Sequence, residues 1–93
     1  MDIVNSVTGV AGSVGTTAQA LFSAQLHGAI SYTIQNKSGT NSLYVSNTGT
    51  ASATNGFTIG PNATFTLPFY TKSAPSIVAS GAATAYYVEY YRP

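Results

Sequence analysis

From Ile30 onward the chain alternates. Ile30, Tyr32 and Ile34 take every second position and Ser31, Thr33 and Gln35 lie between them, which is the period of a strand with one buried face. The run stops at Asn36-Lys37-Ser38-Gly39-Thr40-Asn41, all turn formers, and Leu43-Tyr44-Val45 restarts it. Residues 30–45 therefore read as two antiparallel strands joined by a loop. Residues 46–55 are small and polar without periodicity and predict a surface loop. Phe57 and Ile59 open the next strand, and Gly60-Pro61-Asn62 follows as a turn in which Pro61 presets its own φ and Asn62 tolerates the left-handed region. Beyond it Ala63, Phe65, Leu67 and Phe69 alternate with Thr64, Thr66 and Pro68. Pro68 cannot donate to a ladder, so the end of this strand should lie at an edge or leave the sheet. Residues 72–75 lead into Ile77-Val78-Ala79, and Gly81 marks the turn into a last segment, residues 84–91, rich in β-formers. There Tyr86, Val88 and Tyr90 fall on one face and Ala85, Tyr87, Glu89 and Tyr91 on the other. Rings on both faces predict a strand that is sandwiched between two layers or lies against a neighbouring subunit.

The first part of the chain is less periodic. Gly9, Gly12 and Gly15 interrupt Ile3, Val4, Val7, Val10 and Val14, which disfavours a helix. A strand is expected near residues 16–22, preceded by an extended arm, residues 1–14, whose expected partner is another chain; a frayed tail is the alternative. Residues 15–93 then form a single domain. Six to eight short strands with turn signals between them, and no α/β alternation, predict an all-β fold, a small antiparallel β-sandwich or jelly-roll-like barrel.

Composition narrows the function. Ninety-three residues and 9.6 kDa allow one domain, with a folded surface of roughly 5,000 Å². Only 5% of residues are charged, against about 25% in an ordinary soluble domain. A net charge of +1 supplies no footprint for a nucleic-acid backbone and no polybasic segment for an anionic membrane. So sparse a charge fits either a neutral surface of Ser, Thr and Asn or a surface covered by neighbouring subunits, since interface cores are depleted of charge. Cysteine is absent, which removes disulfides, zinc-thiolate sites and thiol nucleophiles. The Met1-Asp2-Ile3-Val4-Asn5-Ser6 start has no basic n-region, and no run reaches the ~18 apolar residues of a membrane span. The expectation is an unprocessed chain that does not insert directly into a membrane.

Acid–base and nucleophilic mechanisms need titratable groups gathered in one place. This chain offers Asp2, His27, Lys37, Lys72, Glu89 and Arg92, scattered singly, so no enzyme activity, cofactor or metal site is expected. His27 reads as a loop or interface residue bonded to backbone, with pH sensing at an assembly contact as the sharper alternative. Glu89 and Arg92 are three apart and in a strand point to opposite faces, so either could pair with another subunit but not with the other. The seven tyrosines fit sheet and interface packing better than base stacking, which wants a basic groove. Asn36-Lys37-Ser38 and Asn62-Ala63-Thr64 match the glycosylation sequon, as a chain so rich in Asn, Ser and Thr does by coincidence.

Ser31-Tyr32-Thr33-Ile34-Gln35-Asn36, then Asn41-Ser42-Leu43-Tyr44-Val45, then Thr54-Asn55-Gly56-Phe57-Thr58-Ile59-Gly60-Pro61 resembles a group of small bacteriophage virion-associated proteins. Ile77-Val78-Ala79-Ser80-Gly81 and Tyr87-Val88-Glu89 are similar to that group's ending, and the resemblance spans about residues 16–91. Asn62 stands where the group has Gly, and neither the low charge nor the arm belongs to the shared pattern. The resemblance implies a small β-sandwich used in a viral particle and carries no catalytic residues. The expected function is a virion structural protein: a minor capsid, decoration or vertex component, homo-oligomeric and in contact with a major capsid or other virion protein. Its expected assembly interface is Ile3, Val4, Val7, Tyr87, Glu89, Tyr91 and Arg92. The competing expectation is a receptor- or glycan-binding module of a spike or tail fibre, using residues 46–55, residues 71–75 or the tyrosines after residue 85.

Overall fold

A computed structural model describes residues 6–21, 30–71 and 75–92. All of its regular structure is strand: β1 (Ser6–Val14), β2 (Gln19–Ala20), β3 (Ser31–Asn36), β4 (Leu43–Ser46), β5 (Phe57–Ile59), β6 (Thr64–Thr66), β7 (Ser76–Ala79) and β8 (Thr84–Arg92). They form two antiparallel four-stranded sheets, β1-β8-β3-β6 and β2-β7-β4-β5. The pairs β1·β8, β2·β7, β3·β6 and β4·β5 are nested, so the chain follows one long hairpin with its tip between β4 and β5. Rolling that hairpin up adds β3·β8 and β4·β7. Every connection except the tip then crosses from one sheet to the other, which is the order of a jelly roll. The accessible surface is 5016 Å², as chain-length scaling predicts.

Both strands expected in residues 30–45 form, but they do not pair with each other. β3 lies between β8 and β6, and β4 lies between β7 and β5 in the opposite sheet. Tyr32 and Ile34 of β3 and Leu43 and Val45 of β4 are each fully buried in one core. A shared apolar face is satisfied equally by side-by-side and by face-to-face packing, and here the strands face each other. The Gly60–Ala63 turn also crosses between sheets. It closes through Ala63 N–H to the Gly60 carbonyl at 3.0 Å, with Asn62 at φ 63° as its residue types require. β6 stops at Thr66 and is an edge strand, in line with Pro68.

Three tyrosines of the first sheet cross the core and bond near the second. Tyr32 donates to Asn47 Oδ1 at 2.9 Å, Tyr90 donates to the Leu21 carbonyl at 3.0 Å, and the Tyr86 hydroxyl hydrogen-bonds the Gln19 side chain. Burial pushes the Tyr32 and Tyr90 hydroxyls up to about 12, as expected for phenols kept from water. The polar counterpart is Asn36, fully buried at the end of β3. Its Nδ2 donates to the carbonyls of Asn41 (2.7 Å) and Ile59 (3.0 Å), and its Oδ1 accepts from Ser38 N–H (2.9 Å). A side chain so enclosed is closed to glycosylation.

The segment expected as an arm is extended, as its glycines and valines suggest, but Ser6–Val14 pairs residue for residue with β8 of its own chain. The reason lies in the glycines. A Cβ at Gly12 would collide with the Tyr86 ring, and one at Gly9 would collide with the Tyr87 hydroxyl. Each glycine is the seat of a tyrosine, Tyr86 on the core side of the sheet and Tyr87 on the outer side. Of the strand expected near residues 16–22, the described residues 16–21 hold the two residues of β2, and Phe22 lies outside the described residues. Residues 72–74 of the expected connection and His27 lie outside the described residues.

Candidate assembly surface

The outer face of the first sheet follows from its register. Along β8, Ala85, Tyr87, Glu89 and Tyr91 point away from the core, which buries Tyr86, Val88 and Tyr90. Pairing with β1 sets Val7 opposite Tyr91, Gly9 opposite Glu89, Ala11 opposite Tyr87 and Ser13 opposite Ala85. On the other side β3 sets Thr33 opposite Glu89 and Gln35 opposite Tyr87, and β6 adds Thr66 and Thr64 opposite those two. The face thus runs from Val7 and Ala11 through the Tyr87-Glu89-Tyr91 row to a border of Thr and Gln.

Of the residues expected at an interface, Val7, Tyr87, Glu89 and Tyr91 meet on this face. Arg92 belongs to the opposite side of β8 by strand alternation and pairs in register with Ser6. It therefore does not join the row. Ile3 and Val4 lie outside the described residues.

Glu89 is the only acidic residue among the described residues. Tyr87 donates to its Oε2 at 3.1 Å, and this bond, ahead of any burial, pushes the Tyr87 hydroxyl above the usual phenol range. Thr33, Gln35, Thr64, Tyr87 and Glu89 surround a shallow depression of about 160 Å³, too small and too open for an ordinary ligand pocket. Among the described residues no group of three or more His, Cys, Asp or Glu could hold a metal ion.

A second apolar feature lies at the far edge of the sandwich, where β5 and β6 end their sheets. Phe57 stacks on Phe65 with ring centroids 5.0 Å apart, and Phe65 tilts against Tyr32 at 6.2 Å. Phe57 and Phe69 are 56% and 53% exposed. With Leu67, Pro68, Asn47 and Thr48 these rings line a groove of about 460 Å³. Alternation placed Phe57, Phe65 and Phe69 in strands. Pro68 marked the end of the second of those strands as lying at an edge or leaving the sheet, and β6 does end before Phe69, leaving that ring outside the core.

The loop at the tip of the hairpin is not splayed into solvent. It turns back over the second sheet, where Ala51 is buried and its N–H donates to Ser76 Oγ at 3.0 Å. Gly56, at φ 141°, brings the backbone so close to the Val45 carbonyl that no Cβ would fit.

No family model matches the chain, and searches of characterised proteins and of solved structures return no match. The jelly-roll order is read from the strand pairing alone, and the class of protein that can be stated is a small all-β sandwich.

Proposed function

We propose that this protein is a structural subunit of a bacteriophage particle, a minor capsid, decoration or vertex component that assembles with copies of itself and with another virion protein. The observation that carries the reading is the outer face of the first sheet. It gathers Val7, Ala11, Tyr87 and Tyr91 around one carboxylate, Glu89, with Lys37 at the border where its Nζ donates to Gln35 Oε1 at 3.4 Å. Such a surface offers aromatic area and hydroxyls with few charges to desolvate, as interface cores do. The jelly-roll order adds support by analogy at the level of fold, since viral shells use it, as does the resemblance of the strand and loop segments to phage virion proteins. Mass spectrometry of gradient-purified particles from the virus that encodes the chain tests the proposal. The protein should be present in a fixed ratio to the main shell protein, and its absence from intact particles would sink the idea.

The groove at Phe57, Phe65 and Phe69 favours a second reading, a receptor- or glycan-binding module. Its exposed rings sit beside Asn47 and Thr48, a polar rim next to an apolar floor. Glycan binding lost in Phe57→Ala or Phe69→Ala, with oligomerisation unchanged, would establish that reading in place of the first.

A further inference from the structure

We infer that β1 is a self-pairing edge: two copies of this chain join β1 to β1 in antiparallel fashion about a two-fold axis, fusing two four-stranded sheets into one of eight. The inference rests on the assembly reading and names its first contact. Edge strands expose unpaired N–H and C=O groups, and proteins blunt them by making them short, charged, bulged or proline-bearing. Among the described residues three of the four edges are short: β2 has two residues, β5 three and β6 three. β1 has nine. Its sequence, SVTGVAGSV, holds no charge and no proline, and its pairing with β8 is unbroken by a bulge. No described strand pairs with its outer side. All of it except Gly12 and Val14 is exposed, including Val7 at 56% and Val10 at 42%.

The occupant follows from length and symmetry. The edges of β5 and β6 are too short to match nine residues, whereas a second β1 matches all of them. In the register that uses the whole strand, Val10 meets Val10 of the partner subunit and Ser6 lies opposite Val14. Outer-face residues then pair with outer-face residues, so the Tyr87-Glu89-Tyr91 rows of both copies share one surface. A nine-residue antiparallel ladder supplies about nine main-chain hydrogen bonds, within the usual range of about 10 ± 5 for a specific interface. The seam would be about 30 Å long. Among the described residues repulsion does not oppose it: the nearest like charges, the two Glu89 side chains, stand at least three strand spacings or about 14 Å apart, beyond the screening length of about 8 Å in physiological salt.

The test uses the full chain, which has no cysteine of its own. Val10→Cys puts two thiols across the two-fold, where paired Cα atoms are about 4.5–5.5 Å apart and a disulfide can close. Diamide should convert this variant almost completely to covalent dimer, while Thr58→Cys, on the opposite edge, stays monomeric on denaturing gels. Val10→Lys, which sets two ammonium groups face to face but leaves each free to reach water in the monomer, should weaken dimerisation at least about tenfold by sedimentation equilibrium, while far-ultraviolet circular dichroism shows the same strand content as the parent. A parent chain that is monomeric at its highest soluble concentration overturns the inference. So does an oligomer in which Val10→Cys fails to link, or in which Thr58→Cys links as readily. Particle incorporation is measured separately: cross-linking without incorporation keeps the seam and rejects the virion role, and incorporation without cross-linking does the reverse.

Discussion

Asn36 ends the β3 alternation as a turn former should, yet it is fully buried and ties β3 to the carbonyl of Ile59 in the opposite sheet. Its partners sit 5 and 23 residues away, so nothing local marks it as more than one polar residue in a polar run. Asn36→Asp keeps the shape and turns two donated bonds into oxygen facing oxygen. The expected loss is about 2–4 kcal/mol at neutral pH, the cost of buried groups left unpaired, and the gap to the parent should widen between pH 4 and 7 as the new carboxyl ionises. Thermal melts of both proteins at the two pH values check this. Tyr32 and Tyr90 make a second prediction. Their folded values of about 12 exceed the unfolded phenol value of about 10, so the native state holds their protons longer. Their contribution is complete below pH 10 and is lost as pH rises from 10 towards 12, with a slope of at most about 1.4 kcal/mol per pH unit for each ring. Urea midpoints measured across that range should fall in the parent and fall less in Tyr32→Phe; equal slopes would show that Tyr32 keeps no proton beyond its unfolded range.

At the scale of elements, the sequence identifies strands better than it identifies their neighbours. Alternation in residues 30–45 marks which side of each segment is apolar, and Tyr32, Ile34, Leu43 and Val45 are buried accordingly. It contains no information on whether two such segments lie side by side or face each other, and a six-residue polar connection spans either arrangement. β1 shows the reverse case. Gly9 and Gly12 argue against a helix, and no helix forms there, but they also look like looseness, when each makes room for a tyrosine some 75 residues later in the chain. The two seats differ in what their tyrosine can do. Tyr86 is held in the core, whereas Tyr87 lies on the open face and can swing away. Gly12→Ala should therefore cost about 1–3 kcal/mol, as overpacking does. Gly9→Ala should cost less than half as much, because the displaced ring leaves into solvent and the glycine's own strand penalty is removed. Urea denaturation of the two variants decides; equal losses would mean that Tyr87 is held as firmly as Tyr86.

For the whole molecule, the nesting runs from β4 with β5, neighbours in the chain, out to β1 with β8, whose pairing joins residues 6–14 to residues 84–92, and that outer contact no window of residues displays. What composition does display is the small number of charges, and the fold shows how few of them reach the proposed surface. Val7, Ala11, Tyr87, Tyr91 and the Thr and Gln border surround Glu89, Lys37 lies at that border bonded to Gln35, and Arg92 alternates to the other side of its strand. An association built on that face and on a strand edge draws on backbone hydrogen bonds and apolar area, neither of which is screened by salt. The dimer's dissociation constant should therefore change less than about threefold between roughly 0.05 and 0.5 M sodium chloride, over which the Debye length falls from about 14 to about 4 Å. Sodium sulfate at the same ionic strength should tighten association, because excluded salts favour burial of apolar surface. Sedimentation equilibrium in both salts measures this directly. A tenfold weakening with sodium chloride would instead make intersubunit ion pairs of Glu89 or Arg92 the main attraction, and the neutral face a bystander.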